Sequence, residues 1–369
     1  MVLSRVRGGT VLTITGSSGP DKLVSPVPVL LYTVRLNPDL QSWICSLREG
    51  DARALARAIS TVENRAPGWS DLLKVLFPHT GHARVIGLTG APGAGKSTLV
   101  DHLARLYRQK TNPHSSRKER GLNGPPKGCT VGIIAVDPTS PYSGGAILGD
   151  RIRMQQHFSD PGIYIRSMAT RGSLGGLART TADVATVLDA SGRDIILIET
   201  VGVGQDEVDI VRLADITVVI LVPGMGDDVQ TIKAGIMEIA DIFVINKADR
   251  EGAERVEREI RALQSLDTRH DGWTPPIVKT VASEGKGITE LAATIAEYES
   301  YLQKEDRALK KSTENWQARL VEMLRDAMLE KAREQLGDGN VAQLAAEVAE
   351  HKRDPYTLVQ EIAAGISKG

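Results

Sequence analysis

The 369-residue sequence predicts an α/β fold, a doubly wound and mainly parallel sheet with helices before it and a helical extension after it. Three observations predict it. Apolar runs of strand length alternate with segments of helical period from residue 84 to 302, as parallel strands joined by crossover helices do. One run ends at Thr89 and breaks into Gly90-Ala91-Pro92-Gly93-Ala94-Gly95-Lys96-Ser97 before helical periodicity resumes. Two later runs end on short polar segments, Glu199-Thr200-Val201-Gly202 and Asn246-Lys247-Ala248-Asp249, where an open parallel sheet places its ligands.

In chain order, residues 1–46 are rich in Gly, Ser, Pro and Val without helical period, which suggests a poorly ordered lead-in without chemistry. Residues 47–83 suggest a helical segment. Asp51 is a plausible N-cap, Leu55, Ile59 and Val62 recur on one face, and Trp69 to Leu76 repeats the pattern. From Arg84 the chain reads as strand, loop and helix: Val85, Ile86 and Leu88 precede the loop, and Leu99, Leu103 and Leu106 follow it. The loop fits GxxxxGK[ST], the signature of the P-loop NTPase fold. Its glycines leave no Cβ in the way, so backbone N–H groups can turn inward as an anion nest at a helix N-terminus. Gly90, Gly93, Ala94, Gly95, Lys96, Ser97 and Thr98 are the expected nucleotide contacts. Lys96 should reach the β- and γ-phosphates, and Ser97 should ligate Mg²⁺.

Residues 109–128 form a polar, basic stretch with Arg117, Lys118 and Arg120, best read as a solvated insertion between helix and strand. The strand-like run from Cys129 to Val136 ends at Asp137, and Asp150 follows. Carboxylates beside a phosphate loop are where Mg²⁺ is held, so both are candidate metal residues. Glu199 ends the next apolar run in an ExxG version of the DxxG element. Its carboxylate suits the Mg²⁺ shell, and Gly202 can offer its N–H to a γ-phosphate. Lys96, Asp150, Glu199 and Gly202 are the expected catalytic set.

Strands are expected over 217–222, 242–245 and 277–280. The second leads into NKxD. Asp249 can accept both the N1–H and the 2-amino protons of guanine, Lys247 can lay its methylene stem along the base, and Asn246 can tie this loop to the phosphate loop. Adenine offers that carboxylate an acceptor and no 2-amino group, a mismatch that can cost a factor of about 10⁴. Ala282 and Ser283, after the third strand, are weaker candidates for a contact to the guanine O6. GTP or GDP with Mg²⁺ is therefore the expected ligand.

Composition narrows the class. Lys and Arg number 45 against 46 acidic residues, a formal net charge of −1, so nothing calls for a nucleic-acid or membrane partner. Cys45 and Cys129 are the two cysteines and are not spaced as a metal motif, which fits a reducing compartment. The N-terminus carries Arg5 and Arg7 but no sustained apolar core or cleavage site of a secretory signal, and it is compatible with an organellar transit segment. Beyond residue 302 the chain is helical, with an apolar stripe of Trp316, Leu320, Met323 and Ala327. Core packing is the ordinary reading of such a stripe. A tail too short to fold alone also suits a dimer interface.

Five segments together carry a resemblance: Val136-Asp137-Pro138-Thr139-Ser140, Gly144 to Arg151, Gly172-Ser173-Leu174-Gly175-Gly176, Glu199 to Gln205, and Pro223-Gly224-Met225-Gly226-Asp227-Asp228. The chain resembles, over residues 47–369, the chaperone GTPases that accompany methylmalonyl-CoA mutase. The resemblance implies a GTPase that gates adenosylcobalamin delivery to a cobalamin-dependent acyl-CoA mutase and protects it, a homodimer joined through the C-terminal extension, Asp137, Asp150 and Glu199 around Mg²⁺, and a switch at Gly224 to Gly235 facing the mutase. Bacterial cytoplasm, or the mitochondrial matrix in a eukaryote, is the implied location. The lead-in and the basic insertion depart from the family pattern. Two alternatives belong beside it: a kinase of a basic-amino-acid transport system, and a metal-delivery GTPase. The second would be expected to show a His-rich tail or a Cys-x-x-Cys pair, whereas here His79 and His82 lack a thiol partner. Hydrolysis by the isolated chain should be slow. Ras-like GTPases place a water-orienting glutamine after the DxxG glycine and still turn over at only about 10⁻⁴ per second unaided, and Val203 occupies that position here, with Gln205 further on.

Overall fold

The structure, a computed structural model, describes residues 2–6, 9–13, 38–109, 128–137, 159–169, 176–200, 213–224, 239–265, 272–337 and 340–366. Strands β1 (Val2–Val6) and β2 (Gly9–Thr13) pair as an antiparallel hairpin apart from the main sheet. Helix α1 (Pro38–Arg48) also begins inside the stretch that the composition suggests is a lead-in. The β-branched and apolar residues on either side of Gly8-Gly9 are a hairpin signal that the Gly and Ser content obscures. Helix α2 (Ala52–Glu63) starts at Asp51, whose carboxylate accepts the Ala54 N–H at 2.6 Å, and it buries Leu55, Ile59 and Val62. Helix α3 (Trp69–Leu76) follows and buries Leu72 and Leu76.

The main sheet has seven strands: β3 (Arg84–Gly90), β4 (Val131–Asp137), β5 (Ile163–Ala169), β6 (Ile195–Glu199), β7 (Ile216–Leu221), β8 (Ile242–Asn246) and β9 (Ile277–Thr280). Their order is β5-β4-β6-β3-β7-β8-β9, and every pairing is parallel. Helices α4 (Lys96–Gln109), α5 (Gly176–Ala190), α6 (Ala253–Gln264) and α7 (Ile288–Leu302) cover its two faces. A parallel sheet covered on both sides needs apolar residues at consecutive positions. Strand β6 shows why: Ile195 and Leu197 pack into the layer of α4 and α7, while Ile196 and Ile198 pack into that of α2, α3 and α5. After β3 the chain moves past the place of β6 to β4, and later returns to the other side as β7. That reversal opens a crevice at the carboxyl end of β3.

The opposite edge is fastened by acids. Val85 N–H donates to Asp215 at 2.9 Å, Thr217 N–H to Asp241 at 2.8 Å, Thr130 N–H to Asp194 at 2.8 Å, and Gly81 N–H to Asp189 at 2.5 Å. Each carboxylate thus satisfies an amide at or just ahead of a strand's amino end.

Helices α8 (Arg307–Leu336), α9 (Asn340–Ala349) and α10 (Pro355–Ile366) complete the chain. Core packing, the ordinary reading of the apolar stripe on α8, holds for Trp316 and not for the rest of it. Trp316 does turn inward and meets Phe77 edge-to-face at 5.4 Å, but Leu320 is 58% exposed and Met323 36%. The face of α8 against the sheet domain is charged: Lys311 pairs with Asp241 at 2.6 Å, Arg319 with Asp183 at 3.0 Å, and Asp326 with Arg179 at 3.2 Å. The surface it crosses presents carboxylates at Asp183 and Asp241, so basic residues and not leucines are complementary to it. Leu320, Leu324 and Met328, one helical face by their spacing, are left outward. Among the described residues, no helix is long and apolar enough to cross a membrane.

Candidate functional site

Strand β3 delivers the glycine-rich loop to the crevice, and two of its glycines are dictated by neighbours. Gly90 has φ +148°, and a Cβ there would strike the Ile220 carbonyl of β7. Gly95 has φ +92°, and a Cβ there would strike the Asn246 carboxamide. Both positions combine a backbone that disfavours L side chains with a contact that leaves no room for one. Gly93, at φ +78°, faces open space. Ala94 is fully buried, with its N–H on the Ala91 carbonyl at 3.0 Å.

Helix α4 begins at Lys96, so the loop closes on a helix N-terminus and its partial positive charge. The Lys96 ammonium donates to the carbonyls of Gly90 at 2.7 Å and Ala91 at 3.0 Å, arching over the loop. Ser97 Oγ donates to Glu199 Oε1 at 2.6 Å. Glu199 is the last residue of β6, next to β3, and is 4% exposed. The following Thr200 is fastened to β3 through its N–H to the Leu88 carbonyl at 3.1 Å and its hydroxyl to that of Thr89 at 3.0 Å. Asp137 closes β4 at the same edge, with Ala135 in register with Glu199. Asp150 and Gly202 lie outside the described residues, as do Val203 and Gln205. Thr98, half-buried, occupies the first turn of α4.

Strand β8 ends in the second loop. Asn246, 2% exposed, donates from Nδ2 to the Ala94 carbonyl at 2.7 Å, and its Oδ1 accepts the Thr280 hydroxyl at 3.0 Å and the Ala282 N–H at 3.1 Å. One side chain therefore joins the glycine loop, the NKxD loop and the turn after β9. Thr280 was not legible as part of this knot, although its place directly ahead of Val281-Ala282-Ser283 is the signal that could have found it. The Ala282 amide is engaged with Asn246, so a contact from it to a base would have to be shared. Lys247 adopts φ +55° and its ammonium reaches the Gly93 carbonyl at 2.8 Å, which carries its stem across the space between the two loops. Asp249 and Ser283 are exposed on that side.

The residues brought together offer a helix N-terminus, the ammonium groups of Lys96 and Lys247, a hydroxyl with a carboxylate, and an exposed carboxylate on a loop fixed to the first. Among the described residues no group of three His, Cys, Asp or Glu side chains could hold a metal. Ser97 and Glu199 supply the one or two hard oxygens that Mg²⁺ takes from protein when phosphates and waters fill the rest.

Comparison with known proteins agrees with this geometry. The family model described as methylmalonyl Co-A mutase-associated GTPase MeaB matches residues 55–336. A Pyrococcus abyssi protein named as a GTPase is 47% identical over 326 residues, covering 88% of this chain and 95% of its own. GTPase ArgK of Escherichia coli is 35% identical over 264 residues, covering 69% and 75%. The mouse mitochondrial methylmalonic aciduria type A homolog is 35% identical over 297 residues, covering 75% and 68%. A crystal structure of a protein named LAO/AO transport system kinase superposes with a TM-score of 0.62 at 25% identity, covering 90% of this chain and 99% of that one. With a glycine loop, a strand-end acid and an NKxD loop joined at one sheet edge, and with relatives of this identity and coverage, the chain belongs to the MeaB family of methylmalonyl-CoA mutase-associated GTPases.

Proposed function

We propose that this chain binds and hydrolyses GTP with Mg²⁺ and acts as a chaperone that gates adenosylcobalamin loading onto a cobalamin-dependent acyl-CoA mutase, methylmalonyl-CoA mutase being the favoured partner, and protects that enzyme. The observation that carries the nucleotide half is the knot at Asn246, which fixes the exposed Asp249 relative to the glycine loop. A base specificity element is useful only at a set distance from the phosphate cradle, and this knot sets it. The family and the mouse relative support the partner half. Residues 84–302 would form the GTPase domain, 47–83 a helical prelude and 303–369 a dimerising extension, for which the outward Leu320, Leu324 and Met328 supply an apolar face. Neither nucleic acid nor membrane is called for, and a reducing cytoplasmic or matrix compartment suits the thiols of Cys45 and Cys129.

In this reading backbone amides of the glycine loop and the first turn of α4, together with the Lys96 ammonium, hold the phosphates, Lys96 leaving its loop carbonyls for a stronger, charged partner. Ser97 Oγ donates to Glu199 Oε1 at 2.6 Å, so its oxygen would keep lone pairs with which to ligate Mg²⁺. Asp137, Asp150 and Glu199 would complete the metal shell, and Gly202 would offer its N–H to the γ-phosphate. When bound, Mg²⁺ would neutralise charge that builds on the β- and γ-phosphate oxygens. The Asp249 carboxylate accepts two guanine protons, with Lys247 along one side of the base and the 281–283 turn nearby.

Calorimetry with GTP, GDP and ATP tests the nucleotide, and comparable affinity for ATP would reject it. Pulldown with a non-hydrolysable GTP analogue tests the partner. A cobalamin mutase in the eluate supports the reading, and a transporter component would favour a transport-system kinase, as the superposed crystal structure is named. The mutase should also raise single-turnover hydrolysis at least about tenfold, roughly 1.4 kcal/mol of barrier, and a mutase that binds without accelerating would reject partner-completed catalysis.

A further inference from the structure

A cavity of about 370 Å³ lies under α8 at the amino edge of the sheet. Strand β3 has seven residues and runs from this cavity to the glycine loop, a separation of about 20 Å at ~3.3 Å per residue. The cavity is therefore distinct from the nucleotide crevice. Ala83, Val85, Ala182 and Ala185 give it apolar walls, and the rings of Phe77 and Trp316 stand at its side.

Its charge balance is uneven. The basic groups around it each meet one acid, Arg319 through Nη2 to Asp183, Lys311 to Asp241 and Arg84 to Glu299, and the buried Nε of Arg319, which lines the cavity, has no hydrogen-bond partner among the described residues. Asp189 and Asp215, which also line it, enter no ion pair among the described residues. They accept backbone N–H groups, those of Gly81, His82 and Ala83 at Asp189 and that of Val85 at Asp215. Burial pushes both carboxyls above the usual range; at Asp215 the Val85 N–H and the charges of Arg84 and Lys311 work against that rise, and the charge of Asp189 adds a smaller push upward. Asp215 and Ser312 also border an adjoining space of about 110 Å³. Desolvation disfavours the charge of both carboxylates, and a cation placed against them offsets that cost. A divalent metal would want six or more oxygens, which these largely apolar walls do not supply. An organic cation with an apolar body satisfies both halves of the lining.

We propose that this cavity binds a small organic ammonium ion, its nitrogen at Asp189 and Asp215 and its apolar body against Val85, Ala185 and Trp316. Such a ligand would touch β3 and the first turns of α8 together, and so would stiffen the joint between the sheet domain and the extension. The proposal uses no property of the nucleotide loops, so either reading can fail alone.

The test titrates the full chain with phenethylammonium, reading calorimetric heat and a tryptophan fluorescence response that Trp316→Phe should lose, beside the neutral phenethyl alcohol and the anionic phenylacetate. The ammonium should bind at least tenfold more tightly than the alcohol, and phenylacetate should not bind. Asp215→Asn, which keeps an acceptor for the Val85 N–H, should lower ammonium affinity about tenfold. Ser312→Phe, which fills the space from the α8 side, should abolish it while the circular dichroism spectrum is retained. Equal binding of the alcohol, undiminished binding in both variants, or no binding of the ammonium at about 10 mM would overturn the proposal.

Discussion

Replacing Asn246 with alanine should damage the fold before it damages the chemistry. The carboxamide makes hydrogen bonds to Ala94, Thr280 and Ala282 at 2.7, 3.0 and 3.1 Å, in a site 2% exposed to solvent. A hydrogen bond contributes about 1 kcal/mol net, and a buried donor or acceptor left without its partner costs ~1–3 kcal/mol. Three such losses give a floor of about 3 kcal/mol, a factor of roughly 100 in the folding equilibrium and a large part of the 5–15 kcal/mol typical of a domain. Urea unfolding without nucleotide reads this directly from the midpoint shift. Guanine nucleotide affinity should fall as well, because the NKxD loop and the glycine loop lose their common tie. A loss of stability under about 0.5 kcal/mol would show that the three groups find other partners, and the argument that Asn246 sets the spacing of the site would fail.

Asp249→Asn should weaken GTP and improve xanthosine triphosphate, since the amide can donate to a 2-oxo group; calorimetry showing unchanged preference would move guanine recognition elsewhere. Lys96→Ala should abolish most nucleotide binding, whereas Glu199→Ala should leave GDP bound and remove hydrolysis, so full turnover in the second variant would take Glu199 out of the reaction. The Asp215 carboxyl is raised by burial above its ordinary 3.8. The folded chain thus holds this proton more tightly than the unfolded one, and the associated stability is complete below pH 3.8 and is lost as the pH rises through the folded value. Asp215→Asn should therefore flatten the fall of the urea midpoint as the pH rises above 3.8. An unchanged slope would contradict that assignment.

Most of the sheet was legible because burial on both faces writes itself as unbroken apolar runs, as in Ile195–Glu199 and Ile242–Asn246. Strand β5 was not. As the edge strand it carries Arg166 and Ser167 among its apolar residues, and Arg166 pairs with Glu63 of α2, a partner no local pattern announces. The glycine loop and NKxD were legible because each is local in sequence. Their junction through Thr280 depends on tertiary register, as does the Ser97–Glu199 bond across 102 positions. Core packing of the α8 stripe failed for a related reason: period identifies a helix face, but whether that face looks inward depends on the surface opposite, here acidic at Asp183 and Asp241.

The acids at the amino edge also have a meaning in time. Asp241 reaches Thr217 across 24 positions, whereas Asp215 reaches Val85 across 130 and Asp189 reaches Gly81 across 108. Closing a loop costs free energy that grows as (3/2)RT ln n, so the Asp215 contact is about 1.5 kcal/mol harder to close than the Asp241 contact from an unstructured chain. Contacts of such separation are expected to close after shorter closures have brought their strands near, because the loop entropy left to lose is then smaller. The β7–β8 half can thus be assembled early, and the staple from Asp215 to β3 joins it to the half that carries the glycine loop. On this order the phosphate cradle would be among the last parts of the chain to acquire its shape, and a bound nucleotide would hold shut a closure that is costly in chain entropy.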